Sequence, residues 1–128
     1  MFFLPRNITT KFDNNIPIYL QLVEQVKEDI ISGKISAGER LPSVRDLALQ
    51  LKVNPNTVQK ALVELENTGL VFTERTNGKF VTEDKLLIEK YKQEYANITT
   101  QKYIETMQKI GLSVNKILLL INDLGGNR

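Results

Sequence analysis

The chain has 128 residues, 41% hydrophobic and 25% charged, with a formal net charge of +2, values that suit one globular domain with an appendage. It has no cysteine and no histidine, which excludes disulfides, thiolate metal sites and histidine-based catalytic triads. No metal or other cofactor is expected, and no enzyme, because no spacing clusters an acid with a base.

Residues 1–15 carry no clear period and read as an arm. Met1 to Leu4 is apolar, but Pro5 and Arg6 end the run, far short of a signal core or the roughly 20 residues of a membrane span. A cytoplasmic location without a membrane partner is expected.

A helical period starts at Pro17 and runs through Tyr19, Leu22, Val23, Val26 and Ile30 to Ser32-Gly33. Proline suits a first helical position, where its missing N–H has no intrahelical partner. A second helix begins at Ser43, a natural cap with Asp46 three residues on. Its stripe is Val44, Leu47, Ala48 and Leu51, and it stops at Lys52-Val53. The third helix opens at Asn54-Pro55, buries Val58, Ala61, Leu62 and Leu65, and closes at Gly69.

Two β-prone runs follow, Leu70–Thr73 and Lys79–Thr82, around Arg75-Thr76-Asn77-Gly78. Asn-Gly between such runs predicts a hairpin, and Gly78 is demanded by turn geometry alone. The tail reads as helix. Leu87, Ile88, Tyr91 and Tyr95 share a face in residues 84–96, more simply a packing stripe than a ligand pocket. Farther on, Ile104, Met107, Gly111, Val114, Leu118 and Ile121 keep the alternating three-and-four spacing of a coiled-coil seam. Gly111 then sits within a helix, where it costs roughly 1 kcal/mol against alanine. Gly125-Gly126 ends the segment.

The predicted fold is mainly α (α+β). A winged helix-turn-helix of three helices and a two-stranded wing occupies residues 1–83. A short helical dimerisation tail occupies residues 84–128. Residues 1–83 hold ten Lys/Arg and ten Asp/Glu, so bulk charge carries no signal for nucleic acid and position must. The third helix would present Asn56, Thr57, Gln59 and Lys60 to a major groove. Its N-terminus would offer unpaired N–H groups to phosphate. Ser43 and Arg45 stand where a backbone contact is natural, and Arg75 and Lys79 flank the hairpin tip.

Taken together, Leu41-Pro42-Ser43-Val44-Arg45-Asp46-Leu47-Ala48, Val53-Asn54-Pro55-Asn56-Thr57-Val58-Gln59-Lys60-Ala61, Leu65-Glu66-Asn67-Thr68-Gly69-Leu70 and Gly78-Lys79-Phe80-Val81 resemble the DNA-binding domain of the GntR family of bacterial repressors. The resemblance spans roughly residues 16–82. Ile16-Pro17-Ile18-Tyr19 and the short tail look most like its YtrA subfamily. It implies a homodimeric repressor on a palindromic operator in double-stranded DNA, often beside transporter genes. It implies phosphate and base contacts from Ser43 and Arg45, and a groove lined by Asn54, Asn56, Thr57, Gln59 and Lys60. Gly78 would let the wing approach the minor groove. Many members carry arginine where this chain has Pro55 and Gln59, and glycine where it has Thr76. The residues name no small-molecule effector. The competing reading is a winged-helix protein-interaction module without DNA readout.

Overall fold

A computed structural model describes residues 12–125. Most of the expected arm, and Gly126, fall outside the described residues. Near the start of the described residues the Asp13 carboxylate accepts the Asn15 N–H at 2.8 Å, and Gln21 reaches back to the Asp13 carbonyl at 2.6 Å. This ties the entering strand of chain to helix α1, Ile18–Ile31. Pro17 takes the cap position, so the helix begins one residue later than expected, and the Pro17 carbonyl receives the Leu20 N–H at 3.1 Å. The apolar stripe of Leu22, Val23, Val26 and Ile30 is buried as its period requires.

Helices α2, Val44–Leu51, and α3, Pro55–Thr68, are joined by a turn of three residues. Each end of that corner has a local cause. The Ser43 hydroxyl accepts the Asp46 N–H at 3.1 Å, and the Asn54 side chain accepts the Asn56 N–H at 2.7 Å. Lys52 turns the chain in the left-handed region, at φ 57° and ψ 46°, and the next N–H, from Val53, returns to the Ala48 carbonyl at 3.1 Å. A side chain in that conformation costs about 1–2 kcal/mol, which the buried stripes on both sides must offset.

Strands β1, Val71–Glu74, and β2, Gly78–Val81, pair antiparallel with Phe72 opposite Phe80. The connection is a three-residue loop, Arg75 to Asn77, closed by the Asn77 N–H on the Glu74 carbonyl at 3.2 Å. Gly78 follows at φ +107°, the pattern of a turn followed by a positive-φ glycine. The other edge of β2 is also paired. Gly38 and Leu41 donate to the Val81 and Lys79 carbonyls at 3.0 and 2.8 Å, and Val81 donates to Glu39 at 2.9 Å. One core collects Leu22, Val26, Ile35, Leu47, Leu62, Leu65, Leu70 and Val81 from all these elements.

Helix α4, Lys85–Lys109, starts on Asp84, whose carboxylate accepts the Leu87 N–H at 3.1 Å. Leu87, Ile88 and Tyr91 pack against the core. The Tyr91 hydroxyl donates to the Thr68 carbonyl at 3.2 Å, and Lys27 lies 5.4 Å from its ring centre. The chain divides into two compact units after Tyr91, within α4.

The continuous seam expected through residues 104–121 is broken. Gly111 is not inside a helix: it adopts φ +92° between α4 and α5, Val114–Leu124. Leu112 and Gly111 donate to the Met107 and Gln108 carbonyls at 3.1 and 3.0 Å, a Schellman termination that satisfies the last carbonyls of α4. Ser113 then caps α5 by accepting the Lys116 N–H at 3.2 Å. Ile104 and Met107 therefore belong to one helix, and Val114, Leu118 and Ile121 to another. No helix among the described residues is long and apolar enough to cross a membrane.

Asp29 on α1 is buried beside Gln25, which donates to Oδ1 at 3.3 Å, while Oδ2 has no hydrogen bond among the described residues. Burial holds this carboxyl above its ordinary value of 3.8, against the lowering effect of Gln25. The folded chain thus holds this proton more tightly than the unfolded one. The group's contribution to stability is full below 3.8 and is lost as pH rises through the folded value. Asp29→Asn should be more stable than the parent at neutral pH, by about 1 kcal/mol. The gain should vanish in acid, as read from urea unfolding across a pH series.

Candidate nucleic-acid interface

Helix α3 is built so that one face cannot reach solvent and the other must. Val58, Ala61, Leu62 and Leu65 are buried. Asn56, Gln59 and Lys60 are exposed on the other side and Thr57 is half-buried. Val63, 42% exposed, extends the same outward stripe; a valine carries no sequence signal for a groove contact. An apolar side chain there can meet a thymine methyl, as the amides can meet adenine edges.

The N-terminus of α3 differs from the expectation. Asn54 takes the Asn56 N–H on its side chain and the Thr57 and Val58 N–H groups on its carbonyl, at 2.9 and 3.2 Å for the latter two. Proline supplies no N–H at Pro55. The N–H groups of Asn56, Thr57 and Val58 are thereby paired within the turn, which keeps its dipole for a phosphate. Asn54 works as a cap, with its side-chain oxygen already occupied. Lys60 is also engaged: its ammonium lies 4.1 Å from the ring centre of Tyr19, a cation–π contact that fixes the end of an otherwise mobile side chain.

At the start of α2, Ser43 and Arg45 are both exposed. The Ser43 hydroxyl oxygen is occupied as an acceptor by its cap bond, and its O–H can still donate outward. Arg75 is exposed in the wing loop. Lys79 is placed otherwise than expected. Its ammonium is half-buried and donates to Glu66 at 3.2 Å and Thr73 at 2.9 Å. The Thr73 hydroxyl donates to the same Glu66 carboxylate. That hydrogen bond above all, with Lys79, holds the Glu66 carboxyl below its usual range. Lys79 thus ties the wing to α3, and its charge faces Glu66. Glu66 and Lys79 are 13 positions apart and meet only in the fold, so no local pattern signals the clamp.

The two units also place the expected dimerisation residues. Ile104 and Met107 are half-buried, while Val114, Leu118 and Ile121 are 46%, 53% and 48% exposed on α5. Gly111 contributes the turn. Among the described residues no group of three or more His, Cys, Asp or Glu side chains could hold a metal ion.

Residues 18–81 match the family described as "Bacterial regulatory proteins, gntR family". The chain is 34% identical to the HTH-type transcriptional repressor YtrA of Bacillus subtilis (strain 168) over 116 residues, covering 79% of this chain and 89% of YtrA. A solved GntR family transcriptional regulator from Listeria monocytogenes is 41% identical, with a TM-score of 0.83, and the match covers 88% of this chain and 99% of that one. The AraR DNA-binding domain, solved in complex with operator ORX1, is 31% identical with a TM-score of 0.50, over 52% of this chain and 81% of that one.

Proposed function

Because the chain belongs to the GntR family and is a DNA-binding transcription regulator, we propose that it is a cytoplasmic homodimeric repressor of a palindromic operator. Each protomer would lay α3 in a major groove, with the wing against the adjacent backbone. The observation that carries this reading is the outward stripe of α3, polar at Asn56 and Gln59, set beside a wing that Glu66 and Lys79 fasten to the same helix. The likeness to YtrA, a transcriptional repressor, supports repression as the mode of control, and the subfamily resemblance of Ile16-Pro17-Ile18-Tyr19 extends the proposal to transporter genes. An effector, where one acts, would bias this reader through its tail.

The homodimer rests on α5. Ile117 is buried while Val114, Leu118, Leu119, Ile121 and Leu124 are exposed on one short helix, a concentration of apolar side chains that marks an interaction surface. A second copy would cover it. Joining two readers raises the effective concentration of the second and converts two weak contacts into one tight one.

Two outcomes follow. Binding to duplex DNA from the protein's own promoter, followed by fluorescence anisotropy across a salt series, should be tight, site-confined and steeply salt-dependent. Arg45→Ala combined with Gln59→Ala should weaken it by at least about tenfold. Unchanged affinity in that variant would reject the groove assignment, and no binding by the parent chain even at low salt would favour the interaction module. In sedimentation equilibrium the parent should be a dimer and Leu118→Lys a monomer with much reduced operator affinity. A persistent dimer would show that another surface joins the protomers.

A further inference from the structure

We propose that Arg40 is a further DNA contact, whose guanidinium lies along the outer face of the wing over Gly78 and takes a backbone phosphate beside the minor groove. The proposal rests on the winged-helix docking described above and adds to it a residue outside both the helix pair and the hairpin.

Arg40 bridges Phe80 across the second edge of β2. The alternation of the strands sets its face. Val71, Thr73, Lys79 and Val81 turn toward the core and α3, so Phe72, Phe80 and Arg40 turn outward. Phe72 and Phe80 stack at 5.8 Å between ring centres, and Phe72 is 39% exposed. Gly78 leaves room beside them. A Cβ on Gly78 would stand 3.2 Å from Arg40 Nε and 3.3 Å from Nη2, so the guanidinium rests against bare backbone at the base of the hairpin loop.

The backbone at Arg40 is held on both sides, by the Glu39 carbonyl with the Val81 N–H and by the Leu41 N–H with the Lys79 carbonyl, at 2.9 and 2.8 Å. The guanidinium itself has no ion pair or hydrogen bond among the described residues. Glu74 shares the outer face, opposite Gly78, but its carboxylate accepts the Asn77 amide at 3.1 Å and forms no ion pair with Arg40. Lys79, by contrast, is neutralised by Glu66. The outward positive charge of the wing therefore comes from Arg40 and Arg75. A planar guanidinium with its donors unused and its backbone fixed is suited to a phosphate oxygen pair.

The test uses the full chain, a labelled duplex from its own promoter and an unrelated duplex of equal length, each titrated across a salt series. Arg40→Gln should weaken binding to both duplexes about five- to tenfold and reduce the salt slope by about one unit per protomer. Arg40→Lys, which keeps the charge, should retain the slope, and Lys90→Gln, on α4, should leave it unchanged. An Arg40→Gln variant that keeps the parental slope, with or without a loss of affinity, overturns the proposal, because a merely structural arginine moves affinity without removing a phosphate contact. A parent chain that binds neither duplex overturns the docking itself, and the two failures are thereby told apart.

Discussion

The burial of one stripe of α3 governs the rest of the N-terminal unit. Val58, Ala61 and Leu65 expose no measurable surface, and α1, α2 and β1 all pack against this helix. A helix withdrawn so fully on one side can present only its other side, and Asn56, Gln59 and Val63 occupy it. Removing buried leucine or valine here would cost kilocalories and leave a cavity, so the rotation of α3 about its own axis is fixed by its core. The orientation of the candidate reading residues is a consequence of packing, and their identity is free to vary without disturbing the fold.

The second constraint is the clamp between α3 and the wing. A hairpin of two four-residue strands is marginal alone. Here β2 is paired on both edges, and Glu66 receives a hydroxyl and an ammonium from the two strands. The reader is therefore one body made of helix, hairpin and the 38–41 segment. Arg40 gains its place from that third segment, which is how a residue preceding α2 comes to lie on the wing.

What was legible in the sequence was local. Ser43 and Asn54 cap, and Gly69 ends α3 at φ +83°, because each satisfies groups within a few residues of itself. What was not legible was non-local or in conflict with a stronger period. Lys79 reads as a wing charge until the fold sets Glu66 beside it. The 38–41 pairing has no alternating apolar pattern to announce it. Gly111 followed by Leu112-Ser113 carries the same stop-and-cap chemistry as Gly69 and Ser43, but the three-and-four spacing of the surrounding apolar residues argued for one long helix. The Schellman bonds decide against it, and the apolar residues of the seam are shared between two helices.

In the proposed complex α3 and the wing dock as one body on each half of a symmetric site. Hydroxyl-radical footprinting of both strands of the protein's own promoter tests it directly. Two protected blocks related by a two-fold axis, about one helical turn or a multiple of it apart, are expected. Each block should carry backbone protection beside a minor groove where the wing lies. A single unpaired block, or protection confined to the major groove with the wing's backbone fully cleaved, would contradict it.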